Sequence, residues 1–588
     1  MSYDLLSTQG IESFINDYRA SEVKKQVDPL TKKKKDTDDL NTTYTDLLGK
    51  LNDLKNIANT LQLTDTSSAF LVKKATSSKT DFVDITATSQ APVSSQSIRV
   101  NQLAKSDMVM SQDLTSTANS TSILGPGTHN IVFTSGDGSG GTLTSHVAVT
   151  FDATDFTAGT ISNLNVIKKI QGAINLNKAV VNSNSVTGST LSAGTFNLNL
   201  NGTVTAITYT AGTYSTVMDN IATQVNKLNG IQAVKVDKGG GNFSLQFTVT
   251  DSSKYLTING DTSGLVTELG IAVSQEMGAS GMLNASTFAP DSTLSQLSIA
   301  TKKTGYGYRL LSMTDSTGNA LTSVGLNFGA TRPSFVQNLT GADTPGFVYA
   351  TSALNAKIEF NGIALERNSN QISDLITGAT VNLKSLMQPT DTTVNLDIAS
   401  DTENVTQKIQ DFIAKYNAIY TYLKEKTKST KEGRGILIGD SIAESFKYLL
   451  SSLANNQVSG INKDDINSLP RLGLTFDITD GLKIVDLTKL KNFIKDKPSQ
   501  VEALFNSTNG IAKTLYNRID PFVNANGFIN KKKTNFGVTS LYYDDRIKAV
   551  QERVDKKASD LRLRYMKAAS ATNAMVSNQQ IFFMKSLY

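Results

Sequence analysis

Two apolar stripes, one near each end of the chain, constrain its fold most. Leu40, Tyr44, Leu47, Leu51, Leu54, Ala58 and Leu61 alternate steps of four and three. At the other end Ile547, Val554, Leu561, Ala568, Met575 and Phe582 fall seven residues apart. Such spacing keeps side chains on one side of an α-helix, and the resulting seam needs another helix to cover it. The pattern predicts terminal coiled-coil helices that become ordered by packing on neighbouring molecules. A chain that commits both ends to such seams is built to assemble rather than to turn over a substrate.

Composition removes several other classes. The sequence has no Cys and two His, which excludes disulfides and thiolate metal sites. A net charge of +5 on 63.2 kDa is too diffuse to imply nucleic acid or an anionic membrane as partner. No apolar run of about 18 residues is present, so no membrane-inserted segment is expected. Met1 to Leu6 lacks a basic stretch followed by an apolar one, so a Sec-type signal is not expected either.

Charge density divides the chain. Ser111 to Gly346 carries 11 Lys/Arg, 13 Asp/Glu and 28 of the 41 Gly, so charges there are far sparser than in the flanks. That middle is rich in alternating Thr, Ser, Asn and Val, which are strand and turn formers. The expected class is therefore α+β multidomain: terminal helices, a mixed helical/β leg domain, and nested β-β-α-β-β outer domains. The expected segments are a terminal helical region 1–40, leg 41–112, outer β domain 113–185, inserted tip 186–275, outer domain again 276–348, leg again 349–535, and the C-terminal coiled coil 536–588.

Local signals fill in this frame. Pro29 interrupts a first amphipathic stretch, Ile11 to Val27, and the run Lys32–Lys35 followed by Asp36, Asp38 and Asp39 reads as a solvated face with charges spaced to pair. In the tip, Gly194–Gly202 and Val204–Tyr209 read as a hairpin followed by a helix, Val217–Leu228. A second, split copy opens at Gly127–Phe133 and Ala148–Asp152 and closes at Tyr308–Met313 with Val324–Leu326. Ser400 and Glu403 read as a capping box opening a helix with Val405, Ile409, Phe412, Tyr416, Ile419 and Leu423 on one face.

Few residues carry chemistry. His129 and His146 have no acidic or second His neighbour at ligand spacing and read as surface histidines. Asp477, Asp480 and Asp486 lack calcium-loop spacing, and Thr479-Asp480-Gly481 is better read as a hairpin. Tyr542-Tyr543 and Phe582-Phe583 read as core or interface aromatics. No catalytic constellation, cofactor loop or metal set is expected, and no enzyme.

Several segments together resemble the flagellar hook-associated protein 2, or filament-cap, family. They are Gly10-Ile11-Glu12, Ile98–Ala104, Phe360-Asn361-Gly362, Ile372–Leu383, Phe412…Tyr416-Asn417, Leu437–Asp440, Leu472-Gly473-Leu474, Asp480-Gly481-Leu482 and Val501…Leu504-Phe505. Tyr565–Ala569 departs from the family's pattern in lacking a Gln-Phe pair. The resemblance implies secretion through the flagellar export channel with the help of an export chaperone, and a homo-oligomeric ring of about five subunits at the filament tip. It also implies contact with flagellin through the terminal helices, promotion of flagellin folding and insertion, proximity to the hook–filament junction protein, and no cofactor. The implied location is the filament tip, extracellular, or periplasmic if the filament is internal. Alternative readings are a junction protein of the same axial structure, or an adhesin whose outer β domains bind host glycan or mucin.

Overall fold

A computed structural model of the chain describes residues 4–187, 190–329, 345–430 and 433–585. Parts of the expected segments, including 330–344 of the outer domain and 586–588 of the last helix, lie outside these. The chain is 42% helix and 29% strand, in agreement with the α+β reading. It divides into a helical unit (1–74, 88–90 and 399–588) and a β-rich unit (75–87 and 91–398).

In the helical unit, Ser7 caps the helix Thr8–Gln26 by accepting the Gly10 amide at 3.1 Å. The next helix, Asp28–Gln62, begins with Pro29 in its first turn, where a missing N–H costs nothing. The proline that ends one amphipathic stretch thus opens the following helix. Lys34 and Lys35 reach Asp38 and Asp39 one turn on, at 2.8 and 2.6 Å, as the charge run suggests.

The stripe from Tyr44 to Leu61 is fully buried, with Leu40 partly buried beside it. Its cover lies in the same chain. Ile409, Phe412, Tyr416 and Ile419 of Thr402–Lys426, and Leu515 and Ile519 of Ile511–Val523, share one core with it. The second stripe needed to seal the first was present in the sequence, on the helix that carries Val405 to Leu423.

The cap of that helix differs from expectation. Ser400 is the last residue of the strand Val394–Ser400, so it lies one position too early. Asp401 caps instead, accepting the Asn404 amide at 3.0 Å, and Glu403 turns outward to Lys491 at 2.7 Å. The last helix runs from Phe528, ahead of the expected start at 536, to Lys585. The cuts expected at 40/41 and 535/536 therefore fall inside single helices.

The β-rich unit holds three cores. In the first, Ser94–Gln102 lies between Val394–Ser400 and Ala356–Phe360, all antiparallel. Ala356–Phe360 turns back into Ile363–Arg367 at Asn361-Gly362, with φ of 51° and 80°. Two successive positive φ values define the tight hairpin turn for which Asn-Gly is suited. A small sheet of Val83–Ala87, Ala379–Leu383 and Gln371–Ile372 closes this core.

The second and third cores realise the nested reading. The outer core contains the hairpin Gly127–Gly136/Thr142–Phe151, the helix Asn163–Leu176 and the strand Leu310–Thr317, which pairs with the hairpin's first strand. The tip core contains Gly194–Leu200/Thr203–Tyr209, the helix Tyr214–Val225, Ile231–Gly239/Asn242–Val249 and Tyr255–Asn259. The long hairpin Leu283–Phe288/Leu294–Thr304 was not read from sequence; its Ser and Thr content hides the alternation. The two nested units are also less separate than expected. Val273–Met277 pairs antiparallel with Tyr255–Asn259 of the tip and touches Thr142–Phe151 through one parallel bridge, Glu276 to Thr144, so both units share a seven-stranded sheet.

A carboxylate sits at that bridge. The Glu276 side chain is 5% exposed and accepts from the His146 backbone amide at 3.2 Å, while the His146 ring Nδ1 lies 3.0 Å away. Hydrogen bonding to Glu276 raises the His146 pKa, burial opposes it, and the carboxylate's charge adds to the rise. A raised folded pKa contributes stability that is complete below the ordinary histidine value of 6.5 and lost as pH climbs through the folded value. The melting temperature of the β-rich unit is therefore expected to fall between about pH 6 and 8. His146→Gln should flatten that slope; an unchanged slope would exclude the pair as its source.

The chain crosses between the first and outer cores at an interlocked joint. Gly305, with φ of 97°, and Gly307 sit against Asn368, so that an added Cβ would fall 2.4 and 2.7 Å from its atoms. Asn368 accepts the Gly307 amide at 3.0 Å, Asn355 accepts the Tyr306 amide at 2.8 Å, and Asn370 bonds both the amide and the carbonyl of Ala104. Three asparagines of one core thus hold both crossings to the next.

Candidate assembly surface on the helical unit

The helices at the two ends of the chain run antiparallel as a long pair. Near its base Lys532 meets Tyr44 and Asp440; further out Ser540 donates to Asp38 at 2.5 Å and Lys34 lies 3.6 Å from Asp544. Val23, Val27 and Leu30 then pack with Ile547, Val550 and Val554. Arg553 reaches Gln26 at 2.7 Å and Arg19 reaches Asp555 at 3.0 Å. At the far end Arg562 meets Glu12 at 2.5 Å, Phe14 meets Tyr565 edge-on at 5.2 Å, and Ile11 and Ile15 pack on Ala558 and Ala569. Beyond the Lys532–Asp440 contact these ion pairs are largely exposed, so they set register more than stability.

The covered side of the last helix follows the heptad read from sequence through Ile547, Val554 and Leu561 and then leaves it. Val550, Val554, Ala558 and Ala569 are buried, with Ile547, Leu561 and Tyr565 partly buried between them, whereas Ala568 faces solvent. A straight helix drifts about 20° per heptad against a strict seven-residue repeat. By the third repeat the seam has moved from Ala568 to Ala569.

Beyond Ala569 the last helix continues without cover among the described residues, because its partner begins at Thr8. Residues 570–585 span roughly 24 Å at 1.5 Å per residue. Among them Met575 is 70% exposed and Phe582 77%. Nearer the base, Val538, Leu541 and Tyr542 are also exposed, so Tyr542 is not a core residue of this chain. Isolated exposed apolar residues are common on soluble proteins; here several follow one another along one helix end.

A half-buried polar cluster anchors the base of the pair. Asp440 caps Ser441–Asn455 by accepting the amides of Ile442 and Ala443, each at 3.0 Å. Its other oxygen accepts from the Tyr44 hydroxyl and from Lys532 Nζ, the latter at 2.6 Å. The Lys532 ammonium also lies over the Tyr44 ring, 4.7 Å from its centre. Burial, the hydrogen bond to Asp440 and that carboxylate's charge push the Tyr44 pKa far above its ordinary value, so the phenol stays a donor.

Residues 7–107 match the model of the flagellar hook-associated protein 2 N-terminus, and residues 353–577 that of its C-terminus. The chain belongs to the flagellar hook-associated protein 2 family. It is 26% identical over 323 residues to the A-type flagellar hook-associated protein 2 of Pseudomonas aeruginosa, covering 54% of this chain and 66% of that protein. To the lateral flagellar hook-associated protein 2 of Vibrio parahaemolyticus it is 24% identical over 221 residues, or 37% and 47% of the two chains. The matches thus span less than two thirds of these relatives. Among solved structures, the D1-D2-D3 domains of the flagellar cap protein FliD from Escherichia coli align with a TM-score of 0.48 at 19% identity, over 84% of this chain and 99% of that one.

The segments that carry the family resemblance meet in space. Asn417 donates to the Leu482 carbonyl and accepts the Leu482 amide, both at 2.7 Å, which joins Tyr416-Asn417 to Asp480-Gly481-Leu482. A Cβ on Gly481 would lie 2.3 Å from the Asn417 side chain, so glycine is required there. Tyr416 donates to the Leu450 carbonyl at 2.6 Å, and Phe412 packs edge-on against Phe505 at 5.8 Å. In this hook-associated protein 2 relative those motifs build the core on which the terminal pair stands. Asp477 accepts the Thr479 amide at 2.7 Å, the expected hairpin turn. Among the described residues no group of three or more His, Asp or Glu is placed to hold a metal, and no helix is long and apolar enough to cross a membrane. His129 accepts the Asn319 amide at 2.9 Å.

Proposed function

We propose that this protein caps a flagellar filament and that the uncovered end of its last helix, residues 570–585, is the part that engages neighbouring subunits. The single observation that carries this reading is an apolar-bearing helix end that projects past its antiparallel partner, in a chain of the hook-associated protein 2 family. A bare helix of this length is marginal in water, so its order and its burial come together on docking. Copies of the chain then form a ring, about five by family resemblance, and shelter exported flagellin while it folds and inserts. An export chaperone and the hook–filament junction protein complete the set of partners, and the site of action is the filament tip outside the cell or in the periplasm.

Deletion of residues 570–588 tests this directly. Cells carrying only the truncated protein are expected to grow no filaments by electron microscopy, while its circular dichroism keeps the transitions of both units. Filaments of ordinary length would remove the helix end from the mechanism.

A further inference from the structure

A cavity of about 240 Å³ opens at the seam of the outer and tip cores, next to the Glu276 bridge. Its lining includes Asp137, Tyr255, Met277, Met282, Lys303 and Tyr308. The carboxylates around it are already engaged. Asp137 accepts the amides of Ser139 and Gly141 at 2.7 and 2.9 Å, Glu276 pairs with His146, and Asp251 accepts the Ser253 amide and hydroxyl at 3.1 and 2.7 Å. The Lys303 ammonium is not so engaged. It lies 4.8 Å from the centre of the Tyr308 ring, with no carboxylate at ion-pair distance among the described residues. The hydroxyls of Tyr255 and Tyr308 likewise have no hydrogen-bond partner among those residues. The cavity thus presents one free cation and two free hydroxyl donors beside a floor of two buried methionines, Met277 and Met282.

We propose that this cavity binds a small aromatic oxyanion, a carboxylate or phosphate on a single ring. The oxyanion meets Lys303 and the tyrosine hydroxyls, which are donors only lightly used by the protein. The ring lies on the thioethers, which favour aromatic contacts. The volume is below that of sites for drug-sized molecules, which limits the ligand to one ring. Because the lining comes from both cores, bound ligand ties them together and stabilises the folded β-rich unit by mass action.

Calorimetric titration of the full-length chain with benzoate, phenyl phosphate, inorganic phosphate and benzamide tests the proposal without reference to filament growth. Benzoate or phenyl phosphate is expected to bind with Kd on the order of 1 mM, and benzamide about tenfold more weakly. Lys303→Met should weaken binding of the anions by about tenfold, the loss of one charged hydrogen bond, while Lys303→Arg keeps it. Lys303 is exposed, so the melting curve of unliganded Lys303→Met should match the parent. Equal binding of benzoate and benzamide, or unchanged binding by Lys303→Met, would overturn the oxyanion site. Equal binding of inorganic and phenyl phosphate would overturn the place given to the ring.

Discussion

Leu51→Ala is expected to lower the unfolding free energy of the helical unit by about 3 kcal/mol, while Phe582→Ala leaves it within about 0.5 kcal/mol. Both residues sit on apolar stripes that look alike in sequence. Leu51 has no exposed surface and shares its core with the helices Thr402–Lys426 and Ile511–Val523. Truncating it removes transfer energy and leaves a cavity whose walls belong to three helices, which collapse poorly. Phe582 is 77% exposed, so truncation takes nothing out of a core. The measurement is urea unfolding followed at 222 nm, where the helical unit dominates, at concentrations where sedimentation shows a monomer. If Leu51→Ala is as mild as Phe582→Ala, the N-terminal stripe is covered between molecules, and the assignment of the two ends to different roles fails.

That contrast also marks how far the sequence could be read. Periodicity located the helices, because a stripe must be buried somewhere, but it is silent on which molecule buries it. For Tyr44 to Leu61 the answer lay in a matching stripe more than 340 residues later; for Met575 and Phe582 no such cover exists among the described residues. The strict heptad misassigned Ala568 because an α-helix turns every 3.6 residues rather than every 3.5. The nested β units were legible through Gly-bounded alternation, whereas Leu283–Phe288 was not, its Asn, Ser and Thr masking the period. The His146–Glu276 pair joins residues 130 positions apart and leaves no local spacing to recognise. The same holds for the base cluster: Asp440 before an apolar-periodic run is a readable cap, but Tyr44 and Lys532 come to it only through the tertiary fold.

That cluster yields the second large effect. Asp440→Ala is expected to destabilise the helical unit by about 3 kcal/mol, from two sources that share one carboxylate. Loss of the cap on Ser441–Asn455 costs about 1 kcal/mol. The Tyr44 hydroxyl left without its acceptor accounts for about 1–3 kcal/mol more, with little from Lys532, whose side chain is 38% exposed, and the contributions overlap because one carboxylate serves all of them. Asp440→Asn separates them, since asparagine caps well but carries no charge, and should cost about 1–2 kcal/mol. Acid gives an independent readout. Burial pushes the Asp440 pKa up, but the hydrogen bonds from Lys532, Tyr44 and the Ala443 amide, with the Lys532 charge, bring it below the ordinary 3.8. A depressed carboxylate contributes stability that is complete above its unfolded value and lost as pH falls through the folded one. The parent should therefore lose part of its stability below about pH 4, and Asp440→Asn should lack that part of the slope. A parallel acid profile for the two proteins, measured by urea midpoints between pH 2.5 and 6 (roughly the range in which carboxylates titrate), would show that the carboxylate's charge does not hold the base of the helix pair.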